Sequence, residues 1–124
     1  MGALSELFDT NILIDHLSGI AKATRAIKSS ADPAISIITW IEVMAGAATP
    51  DEDVLLKAFL ANFQSLPITG ALAERAALNR RQKRLKMPDA IILATAEVSG
   101  RTLVTRDGKA FPAGTRGVRV PYKL

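Results

Sequence analysis

Leu7-Phe8-Asp9-Thr10-Asn11-Ile12-Leu13-Ile14-Asp15 is the stretch whose reading decides the fold. Leu7 and Phe8 close a buried strand, and from Ile12 the apolar residues Ile12, Leu13, Ile14 and Leu17 fall at helical spacing. Asp9 and Thr10 therefore occupy a strand-to-helix turn, where Asp and Thr are common N-caps. Asp9 has two compatible readings. It caps the following helix, or it is a metal ligand at the C-terminal end of a first parallel strand, where open α/β sheets place their sites.

The same grammar recurs along the chain. Ala34–Ile38 is an apolar run of strand length, and Thr39 is expected to cap a helix over Trp40–Ala47. Pro50 with Asp51 and Glu52 opens a helix running to about Phe63, with Leu55, Leu56, Phe59 and Leu60 turned inward. Ser65–Ile68 reads as a short edge strand because of Pro67. Thr69–Leu85 follows as a long Ala-rich helix, then a helix opened by Pro88 and ended by Gly100. Thr102–Thr105 is a buried strand and Val118–Val120 a last one. Strands alternating with helices predict an α/β fold with a mainly parallel sheet covered on both faces. With no linker or repeat in 124 residues, a single domain spanning 1–124 is expected.

Composition narrows the function. The chain has no cysteine and one histidine, which leaves no disulfide framework and no nitrogen or sulfur set for zinc. Sixteen basic against twelve acidic residues give +4, a balance compatible with a polyanionic partner. Its few aromatics (four Phe, one Tyr, one Trp) are too scattered for a base-stacking platform. No apolar run approaches the roughly 20 residues that span a bilayer, and the N-terminus lacks a signal-peptide pattern. A cytoplasmic protein without membrane association is expected. His16 reads as a surface residue, Trp40 as core or interface, and Met44 and Met87 as packing.

Four acids stand out on this map. Asp9 follows the first strand, and Glu42 is expected in the first turn of the helix after the second. Asp89 begins the helix opened by Pro88, and Asp107 follows the strand Thr102–Thr105. Each has a plain explanation as a cap, a dipole partner or a turn residue. Together they fall at strand ends and helix starts, which parallel topology gathers on one edge of the sheet. Carboxylates so gathered repel one another unless a cation neutralises them. An all-oxygen set suits Mg²⁺ or Mn²⁺.

Phe8-Asp9-Thr10-Asn11, Ile35–Glu42, Pro88–Ala96 and Leu103-Val104-Thr105-Arg106-Asp107 resemble, in order, the four motifs of PIN-domain ribonucleases, most of all the VapC-type toxins of bacterial toxin–antitoxin pairs. The resemblance covers nearly the whole chain. It implies a PIN-like three-layer α/β/α sandwich around a sheet of about five strands. It implies a Mg²⁺-dependent endoribonuclease in which Asp9, Glu42, Asp89 and Asp107 form the catalytic quartet. Asp9, Asp89 and Asp107 would hold the metal, and Glu42 would act through water. Thr10 and Thr105 take the small hydroxyl positions beside the acids and, with Arg106, are expected to contact the substrate. Arg80, Arg81, Lys83 and Arg84 form a basic run that is either a solvated helix end or an RNA-docking patch. An antitoxin protein and a homodimer follow from the family alone. One departure is Ala110, which stands where the family often has a further acid before an aromatic, here Phe111.

Three other readings compete. A haloacid-dehalogenase-type phosphohydrolase would need a second Asp where Asn11 stands, and a phosphoacceptor receiver would need an acidic pair and a Lys that Glu6 and Lys123 do not supply at the right spacing. A PIN-fold interaction module with little or no nuclease activity would keep the same residues, and only cleavage tells it from an enzyme.

Overall fold

The structure, a computed structural model, describes residues 5–112 and 114–124, so the reading of the first residues lies outside the described part. The chain alternates as expected. Strand β1 (Ser5–Phe8) is followed by α1 (Thr10–Leu17) and α2 (Ala21–Lys28), then β2 (Asp32–Ser36), α3 (Ile37–Met44) and α4 (Pro50–Leu60). Next come β3 (Gln64–Leu66), α5 (Gly70–Lys83), α6 (Met87–Ser99), β4 (Thr102–Val104) and β5 (Val118–Arg119). All five strands are parallel in the order β3-β2-β1-β4-β5. Among the described residues no helix is long and apolar enough to cross a membrane.

Side-chain alternation along the strands divides the interior. Phe8, Ile35 and Val104 point to one face and pack with Ile12 and Leu13 of α1, Ala23 of α2, Val43 of α3 and Leu60 of α4. Leu7, Ala34 and Leu103 point to the other face, where Ile92, Leu93 and Ala96 of α6 cover them together with Phe111. Helix α5 packs on α6 through Leu72 and Ala76. This is the expected three-layer sandwich.

The register places the site. Phe8 lies beside Val104, and Ser36 ends β2 beside Leu66. The next residues of β1 and β4, Asp9 and Thr105, therefore emerge side by side at one edge. At the opposite edge Arg101 closes the sheet, because its guanidinium donates to the carbonyls of Glu6 and Asp32, to the Asp32 carboxylate and to Gln64.

Several expectations are corrected. Helix α3 begins at Ile37, because the Ser36 hydroxyl accepts the Ile38 amide and caps it. A short polar cap outweighs the strand preference of Ile37-Ile38-Thr39, so Glu42 sits in the second turn and draws nothing from the helix N-terminus. Leu55 and Met87 are exposed rather than packed. His16 is half-buried rather than freely exposed: its ring stacks on Phe59 at 5.0 Å and Nδ1 lies 2.7 Å from the Thr24 hydroxyl.

Candidate metal centre

Asp9, Glu42, Asp89 and Asp107 line one cavity of about 340 Å³, together with Thr10, Asn11 and Arg106. Each arrives by a different local device. Asp9 is the N-cap of α1, its Oδ1 accepting the Thr10 amide at 2.8 Å. Glu42 projects from α3, where the Thr10 hydroxyl donates to its Oε1 at 2.6 Å and lies 2.9 Å from the buried Thr39 hydroxyl. Asp89 sits in the first turn of α6, just after Pro88. Asp107 heads the turn after β4, its Oδ1 accepting the amides of Lys109 and Ala110 at 3.0 Å each.

Thr105 ties these pieces together. Fully buried, it donates its hydroxyl to Asp9 Oδ2 at 2.7 Å and accepts from Asn11 Nδ2 and from the Asp107 amide. Thr105 is thus buried behind the cavity lining, where its hydroxyl positions Asp9 and Asp107.

Electrostatics mark the cavity as short of positive charge. Burial pushes the Asp9 carboxyl up to about 6 despite the hydrogen bonds from Thr105 and Thr10, and the charges of Asp89 and Glu42 add to the rise. The Asp89 carboxyl is also raised, first by burial, then by Asp107 and Glu42, with Lys86 opposing. Arg106 is the cation in the cavity lining, and it is already engaged. Its Nε and Nη2 grip Asp15 at 2.5 and 3.0 Å, and the Tyr122 hydroxyl donates to the same carboxylate at 2.7 Å. Burial pulls the Asp15 carboxyl up, but the bonds from Arg106 and Tyr122 prevail and hold it below the ordinary value.

A comparison with protein-family models matches residues 7–113 to the PIN domain. The chain belongs to the PIN domain family. Among solved structures, a toxin–antitoxin complex from Klebsiella pneumoniae contains a chain 45% identical, with a TM-score of 0.91, covering 97% of this chain and 100% of that one. FitAcB from Neisseria gonorrhoeae (24% identity, TM-score 0.78, 94% and 97% covered) and DNA-bound VapBC from Salmonella typhimurium (20%, 0.76, 97% and 98%) are alike in fold. A search of curated proteins finds no match. PIN domains are generally nucleases and usually bind divalent metals.

In this PIN domain the donor set fits such an ion by its chemistry. All candidate ligands are oxygens, as hard divalent cations prefer, and Asp107 Oδ2 and Glu42 Oε2 accept no hydrogen bond among the described residues. Yet among those residues no three acidic or histidine side chains already close into a cage around one ion. None of Arg80, Arg81, Lys83 and Arg84 lines the cavity. They are exposed at the end of α5, where Arg84 is the left-handed C-cap.

Sequence reasoning missed Asn11, Asp15, Thr39 and Tyr122. Asn11 was visible beside Asp9, and its Oδ1 accepts the Arg106 amide at 3.1 Å. Asp15 and Tyr122 carried no local signal, since their partners stand far away in the chain.

Proposed function

We propose that this PIN domain is a metal-dependent endoribonuclease, using Mg²⁺ or Mn²⁺, and the toxin of a toxin–antitoxin pair. The observation that carries the reading is the meeting of four carboxylates from four separate elements around one cavity whose cation is already engaged by another acid. The 45% identity to a chain of a toxin–antitoxin complex supports the toxin role.

Asp9, Asp89 and Asp107 would hold the ion. When bound, the ion supplies Lewis acidity that makes water a nucleophile near neutral pH and offsets phosphate charge. Glu42, fixed by the Thr10 hydroxyl, orients the attacking water and takes its proton. Thr10, in the same cavity wall, would hydrogen-bond the substrate as well. Arg106 spends two of its five N–H donors on Asp15 and keeps the others for a phosphate oxygen. Arg80, Arg81, Lys83 and Arg84 would meet RNA beyond the cavity.

Two apolar surfaces support the protein partners. Ile14, Leu17, Val43, Leu55 and Leu56 line a groove of about 490 Å³ between α1, α3 and α4. Ile14 also lines the acidic cavity, so an antitoxin segment seated in the groove would reach the acids. Ile68, Met87 and Ile91 line an apolar hollow of about 260 Å³ by α5 and α6, a surface suited to a homodimer.

Mapping RNA 5′ ends after brief expression, against Asp9→Asn as control, tests the reading. New ends that require Asp9, and that form in vitro only with a divalent cation, are expected. Identical maps would sink it and favour a non-catalytic interaction module, and acyl-phosphate formed on Asp9 would favour a phosphohydrolase.

A further inference from the structure

A second cavity, of about 540 Å³, lies between α2 and the C-terminal segment, and its chemistry is the inverse of the first. Its lining includes Lys22, Arg25 and Arg119, with Ser29, Pro121 and Tyr122, and no acid. Lys22 and Arg25 are three apart on α2 and share a face. Both are exposed, and neither forms a salt bridge among the described residues. Helix α2 carries a third cation, Lys28, and no acid. Arg119 is fixed in place by the buried Glu6 while its side chain remains 44% exposed.

We propose that this cleft binds backbone phosphates of the RNA strand on one side of the cleaved bond, an inference that rests on the nuclease reading above. A concave surface lined by one sign of charge concentrates counter-charge, and the ligand here is anionic. It is phosphate rather than base, because the Tyr122 hydroxyl is committed to Asp15 and the ring is buried, leaving no exposed aromatic face in the lining.

The cleft is joined to the acids by a short relay. Tyr122 forms its wall and bonds Asp15, Asp15 grips Arg106, and Arg106 lines the acidic cavity. The acids repel a phosphodiester chain, so a strand drawn to their edge needs cations on its flank. Running from Arg106 past Tyr122, it meets Lys22, Arg25 and Arg119.

Lys22→Ala/Arg25→Ala removes two cations from exposed helix positions where alanine is well tolerated. Arg119 is left alone, since its loss would strand the buried Glu6. Binding of a labelled single-stranded oligoribonucleotide is followed by anisotropy against salt, with cleavage followed in parallel. The double variant should bind about tenfold more weakly, and the slope of log affinity against log salt should flatten by about 1.4, two contacts at 0.7 each. Its kcat should hold while KM rises, and the charge-keeping Lys22→Arg/Arg25→Lys should restore both. An unchanged slope, or wild-type protein that binds no RNA, overturns the cleft. Binding that depends on the cleft without cleavage in any divalent cation would sink the nuclease reading and leave the cleft standing.

Discussion

At Asp9 one carboxylate oxygen accepts the Thr10 amide at the head of α1 and the other accepts the Thr105 hydroxyl, inside a wall that also holds Glu42 and Asp89. The folded value of about 6 lies above the ordinary 3.8. A group so raised favours folding below about pH 4 and loses that contribution as pH rises through 6, so without a cation the ionised acid costs on the order of 3 kcal/mol at neutral pH. Asp9→Asn keeps the cap and drops the charge. In EDTA near pH 7.5 its Tm should exceed that of the wild type, and the gap should narrow as pH is lowered toward about 5. A lower Tm for the variant at neutral pH would contradict the repulsion. Thr105→Val is the complementary test. It strips the hydroxyl from a fully buried site and leaves Asp9, Asn11 and the Asp107 amide short of a partner. A loss of about 1–3 kcal/mol is expected in urea unfolding, with activity falling further than stability explains.

Among the elements, α3 and the C-terminal segment separate what can be read from sequence from what cannot. The strand-helix alternation was legible because each buried strand is a short apolar run broken by a cap or turn. The placement of the acids was legible because parallel strands send their ends to one edge. The start of α3 was not, since Ile37-Ile38-Thr39 favours a strand locally while one side-chain bond from Ser36 sets the boundary. Ser36→Ala should cost about 1 kcal/mol and, by loosening α3, lower kcat through Glu42. The Arg106–Asp15–Tyr122 triangle was also hidden, because it joins residues 91 and 107 positions apart and no periodicity encodes such a pair. Asp15 sits below its ordinary value, so its contribution is present above about pH 4 and fades as pH falls through the folded value. Asp15→Asn should therefore destabilise at neutral pH, by about 1.5–3 kcal/mol for bonds to a charged group, and far less in acid. Equal losses at both pH values would argue against the ion pair.

For the molecule as a whole, the acidic edge stores repulsion that a cation relieves. Ligands that bind only the folded state raise its stability by RT ln(1 + [L]/Kd). Mg²⁺ or Mn²⁺ should then raise the Tm of the wild type in a concentration-dependent way, and Asp9→Asn/Asp107→Asn should respond far less. An equal rise in both would place the cation elsewhere.

The acids stand at positions 9, 42, 89 and 107, and the residues between α3 and α4 (45–49) are largely exposed. A chain divided there would leave Asp9 and Glu42 on one piece and Asp89 and Asp107 on the other. Because the β2-β1 pair lies between β3 and β4 in the sheet, those pieces must interleave strands to rebuild the edge. Each half would be inert alone, and cleavage would appear only on reassembly, with a rate that depends on the concentration of both. The fold is thus laid out as a split reporter.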